Sequence, residues 1–367
     1  MPLVAHNSLP TFDRLAEEGV KILKPETALH QDYRELHIGL LNMMPDAALA
    51  ATERQFLRLI GETNSIAQFY VHLFTLDTLP RGEKAQQYIA AHYESFDTLS
   101  HAGLDALIIT GANVVGPDLS TQPFWQPLME VADWAYEHVT STLCSCLATH
   151  AILEFRYGQK RVPQPVKKWG VFPHEVSRQY HPLVHDANTR FDVPYSRWND
   201  ISLKQFQQAG LPVLVTSYDG CVHLATSHDG LRFIFFQGHP EYDTISLLKE
   251  YKREVGRYHN GEISDYPPYP ENYLGPFEQA ILDEYHYRNS EAKAQGKPPL
   301  PFPEELISPM LDNTWHDTAV AVMDNWVGLI YQVTDHNRKR PFMDGIDKED
   351  PLGLRRHLNR PFGMRPV

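Results

Sequence analysis

Cysteine is scarce, with three in 367 residues. That is too few for a disulfide framework and fits a reduced, cytoplasmic chain. No Cys/His run has zinc-finger or metalloprotease spacing, so no metal site is expected. No apolar run approaches the ~18 residues of a membrane span, and no cationic-apolar leader opens the sequence. Neither membrane insertion nor export is therefore expected. No internal repeat is visible, which excludes solenoids and propellers. Positive charge is also short: 33 Lys and Arg stand against 46 Asp and Glu, a net charge of -13. A general nucleic-acid-binding role is excluded on that balance. The 19 histidines are scattered. Hydrophobic residues make up 42%, enough for a substantial core.

The most informative stretch runs from His138 to Ala151. Val139 to Leu143 reads as a buried strand rich in β-branched residues. From Leu147 onward the chain reads as a helix, with Ala148, Ala151, Ile152 and Phe155 on one face and Gly158 as its stop. A very short turn carrying a cysteine lies between strand and helix. Such a turn presents a side chain at the carboxyl end of a sheet, beside free helix N–H groups, and lowers a thiol pKa. Two cysteines compete for the role. Cys146 has small residues two before and two after it, Cys144 and Ala148, as a tight turn requires. Cys144 would sit earlier, in the strand. Cys146 is thus the expected nucleophile. An isolated cysteine would more readily be an ordinary buried one, so the assignment depends on the rest of the chain.

Residues 1–33 hold several prolines and one short helical pattern, and are expected to form an arm wrapping the domain or a partner. Strands are expected at Leu36–Leu41, Ala67–Phe74 and Ala106–Asn113, and helices at Thr52–Ile60 and Glu83–Ser95. Apolar strands bracketing helices imply a parallel sheet covered on both faces. The fold class is therefore α/β: a doubly wound, mostly parallel, flavodoxin-like sheet. Ligands bind such sheets at the carboxyl ends of the strands, where the Thr110-Gly111-Ala112 loop and the Cys146 turn both fall. After Gly158 the chain is Pro-rich and basic. Pro212–Phe236 reads as an added β meander with turns at Asp219-Gly220 and Asp229-Gly230. Thr244–Tyr258 reads as an amphipathic helix, Asp265–Pro309 as a proline-rich excursion of loops with one helix in the middle, Thr318–Val333 as a last helix, and 335–367 as a polar extension.

A thiol nucleophile needs a base, and the base needs a carboxylate to orient it. The last meander strand runs into Phe236-Gln237-Gly238-His239-Pro240-Glu241. His239 can take the thiol proton, and Glu241, held stiffly by Pro240, can accept from the other ring nitrogen. A nucleophile on a strand–helix turn, followed much later by His-x-Glu, is the order found in the class I glutamine amidotransferase-like superfamily, which the chain resembles.

Within that superfamily the chain resembles the homoserine O-succinyltransferase/O-acetyltransferase family of methionine biosynthesis. The resemblance rests on Leu41-Asn42-Met43-Met44-Pro45, Thr52-Glu53 with Gln55 to Leu59, and Thr110-Gly111-Ala112. It continues through Ser141-Thr142-Leu143 with Cys146, Lys167 before Gly170-Val171, Ser196-Arg197, Gly238 to Asp243 and Asn325-Trp326. It implies acyl transfer from acyl-coenzyme A to the L-homoserine hydroxyl through a thioester on Cys146, with His239 as proton acceptor and Glu241 as its partner. It also implies that 34–334 is the acyltransferase domain and that the enzyme is a homodimer. Lys167, Ser196 and Arg253 fall on substrate-binding positions. Backbone N–H groups of Leu147 and Ala112 are the expected oxyanion donors. Val115 stands where a glycine marks succinyl-transferring members and a glutamate acetyl-transferring ones. It carries no carboxylate to repel succinyl, so succinyl-CoA is favoured over acetyl-CoA as co-substrate, and no permanently bound cofactor is expected. Two other readings of the same residues are a glutamine amidohydrolase and a non-catalytic binding module.

Overall fold

The computed structural model describes residues 3–63, 67–114 and 116–355. Val115, the expected acyl-selecting residue, lies outside the described residues.

Eleven strands form one sheet: β1 Leu3–Val4, β2 Ile22–Leu23, β3 Arg34–Leu41, β4 Ala67–Phe74, β5 Ala106–Ile109, β6 Ser141–Ser145, β7 Val162–Val176, β8 Arg190–Asp200, β9 Val213–Ser217, β10 Val222–Thr226 and β11 Phe233–Phe236. Their order across the sheet is β2-β1-β4-β3-β5-β6-β11-β10-β9-β7-β8. From β2 to β11 every neighbouring pair is parallel. From β11 to β8 every pair is antiparallel. The α/β class, the mostly parallel sheet and the β9-β10-β11 meander thus stand as expected.

The central strands are buried on both faces, as parallel strands between helices must be. Leu36, Ile38 and Leu40 of β3 point into one core with Leu143 and Trp326. Leu41, Leu107, Ile109 and Cys144 point into the other, with Ala148 and Ile152. Trp326, on the last helix His316–Val333, is fully buried, and its indole N–H donates to the Ser141 hydroxyl at 2.8 Å.

Several expectations need correction. Residues 3–29 pack against the domain and also add strands that the sequence did not suggest: β1 and β2 extend the parallel sheet, and Leu3, Leu9, Phe12 and Leu15 are core residues. Burying each such side chain stabilises by roughly 1.5–3 kcal/mol. The Thr11 hydroxyl adds a hydrogen bond to buried Glu53. The Pro-rich stretch after Gly158 is the long strand β7, paired with β8. Its register shifts between Pro163 and Lys168, and pairing to β9 begins only at His174. Its prolines therefore sit where the ladder is irregular or one-sided, which prolines tolerate. The 265–309 excursion, by contrast, carries a helix in its middle as expected, Pro276–Ala294. The polar extension also packs back: Phe342 is buried, and the Thr140 hydroxyl donates to the Pro341 carbonyl. Phe155 is 40% exposed, not core, because its helix ends two residues later and carries it to the edge of Trp125.

Candidate active site

β6 enters the helix Leu147–Tyr157 through one residue, Cys146. Its φ of 51° and ψ of -107° lie in a sparsely populated region for a residue with a Cβ. Holding it there costs on the order of 1–3 kcal/mol. The surroundings impose it. The Cys146 N–H donates to the Phe236 carbonyl at 2.8 Å. The Thr149 hydroxyl lies 2.8 and 2.9 Å from the carbonyls of Cys144 and Phe236. These bonds tie the turn to the end of β11, the strand that delivers the histidine.

Gly238 allows the next step. A Cβ there would lie 2.3 Å from Val193 Cγ1 and 2.9 Å from His223 Nδ1, so no side chain fits. The His239 N–H then donates to the Pro194 carbonyl at 2.9 Å, fixing the loop against β8. His239 Nδ1–H donates to Glu241 Oε1 at 2.9 Å, leaving Nε2 for the Cys146 thiol, to which His239 is hydrogen-bonded. The Tyr242 ring stacks on the imidazole with centroids 4.3 Å apart. The structure thus brings Cys146, His239 and Glu241 together in one chain of hydrogen bonds. Cys144 is fully buried, and desolvation pushes its thiol well up, so it is not the reactive sulfur.

Charge follows this geometry. Burial alone would raise the Cys146 pKa, but the His239 charge, their hydrogen bond and the Arg197 charge pull it below the ordinary thiol value. Burial would lower His239, yet Glu241 and Cys146 raise it to about 10. The two shifts run in the direction that favours a thiolate–imidazolium pair. Arg197 is buried beneath, donating to Asp200 Oδ1 at 2.6 Å and the Gln237 carbonyl at 3.2 Å. Buried His150, bonded to Gln237, is pushed down to about 3 by desolvation and stays neutral.

The expected oxyanion donors, Leu147 and Ala112, belong to the segments next to the Cys146 turn. Leu147 opens its helix, where N–H groups have no intrahelical acceptor. Gly111, just before Ala112, faces the turn: a Cβ on it would lie 3.4 Å from Cys146 Cβ and 3.9 Å from Leu147 N. The buried Arg161 guanidinium holds the loop beyond, donating to the carbonyls of Val114 (2.9 Å) and Gly116. A cavity of about 550 Å³ opens behind Glu241 between Arg54, Arg58 and Lys249, but Cys146 does not line it.

Lys167 and Ser196 meet at Glu250, a residue that no sequence motif singles out. Glu250 Oε2 accepts from Ser196 Oγ at 2.5 Å and from Lys167 Nζ at 3.4 Å, and Oε1 accepts from the Tyr242 hydroxyl at 2.7 Å. Burial pushes this carboxyl up, but the Lys167 charge and the two hydroxyls bring it below the ordinary carboxylate value. Tyr242 therefore joins the Glu250 cluster to His239. Arg253 lies three residues on in the same helix, Ser246–His259. Its guanidinium is over half exposed and pairs with Glu254 at 3.3 Å, near the cluster but not in it. Glu250 sits in the charged run Lys249–Glu254, whose only signal is its i−3 spacing from Arg253.

The homoserine O-succinyltransferase family profile matches residues 2–336. The chain is 65% identical over 354 residues to a homoserine O-succinyltransferase of Allochromatium vinosum, covering 96% of this chain and 99% of that one. It is 60% identical over 356 residues to another from Nitrosococcus oceani, covering 97% and 99%. Among solved structures it is similar to a glutamine amidotransferase from Thermotoga maritima, with a TM-score of 0.44, 10% identity, and 82% and 99% of the two chains covered.

Proposed function

We infer the mechanism from one premise: the chain belongs to the homoserine O-succinyltransferase family. It is an acyltransferase of methionine biosynthesis that uses an acyl-coenzyme A and homoserine. The hydrogen-bonded Cys146–His239–Glu241 chain on a strained turn is the observation that supports its chemistry.

The Cys146 thiolate attacks the thioester carbonyl of the acyl-CoA. The oxygen of the tetrahedral intermediate takes hydrogen bonds from the N–H groups of Leu147 and Ala112, positioned before the charge develops. The carbon–sulfur bond to coenzyme A breaks, and the His239 imidazolium gives its proton to the departing thiolate. The enzyme is left as a Cys146 thioester with neutral His239. In the second half, His239 accepts the homoserine hydroxyl proton as that oxygen attacks the thioester. The product ester leaves, and the thiolate–imidazolium pair returns. Glu241 holds the ring orientation throughout. Glu250 receives the substrate ammonium, and Lys167 and Arg253 receive its carboxylate, with Ser196 positioning Glu250.

The test is intact-protein mass spectrometry after mixing with succinyl-CoA or acetyl-CoA without homoserine. A succinyl adduct that homoserine then discharges supports the reading. Adduct formation only with glutamine would replace it with amide hydrolysis.

The raised His239 and depressed Cys146 pKa values give a pH profile with a defined sign. The reactive pair exists above the thiol pKa and below the imidazolium pKa. CoA release in a single turnover is therefore expected to rise through the Cys146 pKa, hold a plateau, and fall above about pH 10. Its acid limb should lie below the ~8.5 of a free thiol. A single rise centred at that free-thiol value would argue against the ion pair.

Succinyl-CoA is the proposed donor, with Val115 in the selecting position. Val115→Glu is expected to depress kcat/KM for succinyl-CoA at least ~10-fold more than for acetyl-CoA, since it opposes two carboxylates. Equal effects on both donors would remove Val115 from that role.

A further inference from the structure

Away from the thiol, three side chains from separate parts of the chain converge on one point. His6 follows β1, His72 is on β4, and Glu94 follows the helix Glu83–His92. One donor atom from each lies within 4.8 Å of the other two. We propose that His6, His72 and Glu94 form a zinc site that staples the amino-terminal strand to the sheet.

The donor set suits the ion. Two imidazoles and a carboxylate leave one position of a tetrahedron for water, and imidazole with carboxylate favours zinc over magnesium or calcium. Ligands about 2.0–2.1 Å from zinc stand roughly 3.3 Å apart in a tetrahedron, so His72 Nδ1 and Glu94 Oε1, now 2.7 Å apart, must open slightly to admit the ion while His6 adjusts to meet it. His6 lies in the irregular segment after β1, where a small shift is possible.

The surroundings preset the nitrogens. His6 Nδ1–H donates to the Val4 carbonyl at 3.1 Å, so Nε2 keeps the lone pair. His72 Nδ1 lies 2.7 Å from Glu94 Oε1, the place an ion would enter. His72 Nε2 lies 2.8 Å from His37 Nδ1, and His37 Nε2 lies 3.4 Å from Glu35 Oε2. With zinc on Nδ1, His72 would donate Nε2–H to His37, and His37 would donate Nε2–H to Glu35. Such a histidine–carboxylate outer shell orients metal-bound imidazoles. Burial lowers the pKa of His6 and of His37. Asn7, Tyr70 and Arg338 are the other polar groups nearby, and the Asn7 amide nitrogen lies 3.4 Å from His6 Nε2, a contact that zinc would replace. Tyr70 stacks on His37 at 4.8 Å and donates to Glu35, and the Arg338 charge lowers His37. β4 and β6 are three strand spacings apart in the sheet, roughly 14 Å at the usual ~4.8 Å each, so the site is separate from Cys146.

The full-length chain should be tested with Cys146→Ser as background, which removes the active-site thiolate as a competing zinc ligand. After chelator treatment, titration with ZnCl₂ is expected to give one tight equivalent and a higher Tm. Glu94→Gln and His6→Gln should each weaken zinc binding at least tenfold and abolish the Tm gain. His37→Phe should weaken it about tenfold through the outer shell. Co²⁺ should give tetrahedral visible bands in the background protein and lose them in Glu94→Gln. If the background protein takes up no stoichiometric zinc, the proposal fails. It also fails if the folded Glu94→Gln and His6→Gln proteins bind as tightly as the parent.

Discussion

Cys146→Ala is expected to remove the covalent acyl adduct and to lower kcat by at least about 10⁴-fold, the scale seen when a covalent nucleophile is deleted. Without the sulfur, His239 and Glu241 remain hydrogen-bonded, so the protein keeps its base but has nothing to acylate. Cys144→Ala provides the contrast. That side chain is fully buried in the core against Ala148 and Ile152, and desolvation holds it as a thiol. Its removal should cost about 1 kcal/mol of stability through a small cavity, and leave kcat within about twofold. Intact mass after succinyl-CoA, with kcat measured for both variants, distinguishes the two sulfurs. An adduct surviving in Cys146→Ala and lost in Cys144→Ala would reverse the assignment.

The two cysteines illustrate how much was legible in the sequence. Small residues two before and two after Cys146 identify the position that a tight strand–helix turn can accept, and the turn is there, with φ at 51°. β4 appears from Ala67 to Phe74 as its alternation predicts, and the three meander strands are divided at the expected Asp219-Gly220 and Asp229-Gly230 turns. Strong local periodicity made these elements readable. β7 was not readable, because three prolines within it argue against a strand, and only the edge-like pairing with β8 makes them tolerable. β1 and β2 have two residues each, too short for any periodic signal; their place in the sheet comes from tertiary contacts of Leu3, Phe12 and Leu15. The site divides the same way. His239 and Glu241 are two residues apart and share one hydrogen bond, so a motif carries them. Glu250 is joined to Ser196 across 54 residues and to Lys167 across 83, and no local pattern encodes that meeting.

That meeting gives the second large effect, Glu250→Gln. The replacement keeps the size of the side chain and its ability to bond Ser196 and Tyr242, but removes the charge. Glu250 is held ionised by Lys167 and the two hydroxyls, in a pocket where it is mostly hidden from water. If the homoserine ammonium pairs with it, losing one partner of a buried charge pair costs roughly 2–5 kcal/mol. At 1.4 kcal/mol per factor of ten, that raises the homoserine KM at least ~30-fold. The first half-reaction involves no ammonium. Thioester formation from succinyl-CoA, read as the single-turnover burst of CoA, should stay within about threefold of the parent. Arg253→Met should raise the homoserine KM by a smaller factor, ~10-fold or less, because its guanidinium is more than half in solvent. Lys167→Met is harsher: it strips Glu250 of its cation as well as the substrate of its carboxylate partner, so both KM and stability should suffer. The burst separates the two roles open to Glu250. Tyr242 stacks on His239 and donates to Glu250, so a purely orienting carboxylate would slow the burst and the second half-reaction alike. An intact burst with a raised homoserine KM is the result that places the ammonium at Glu250. A slowed burst with an unchanged KM would make it a positioning residue for the catalytic histidine instead.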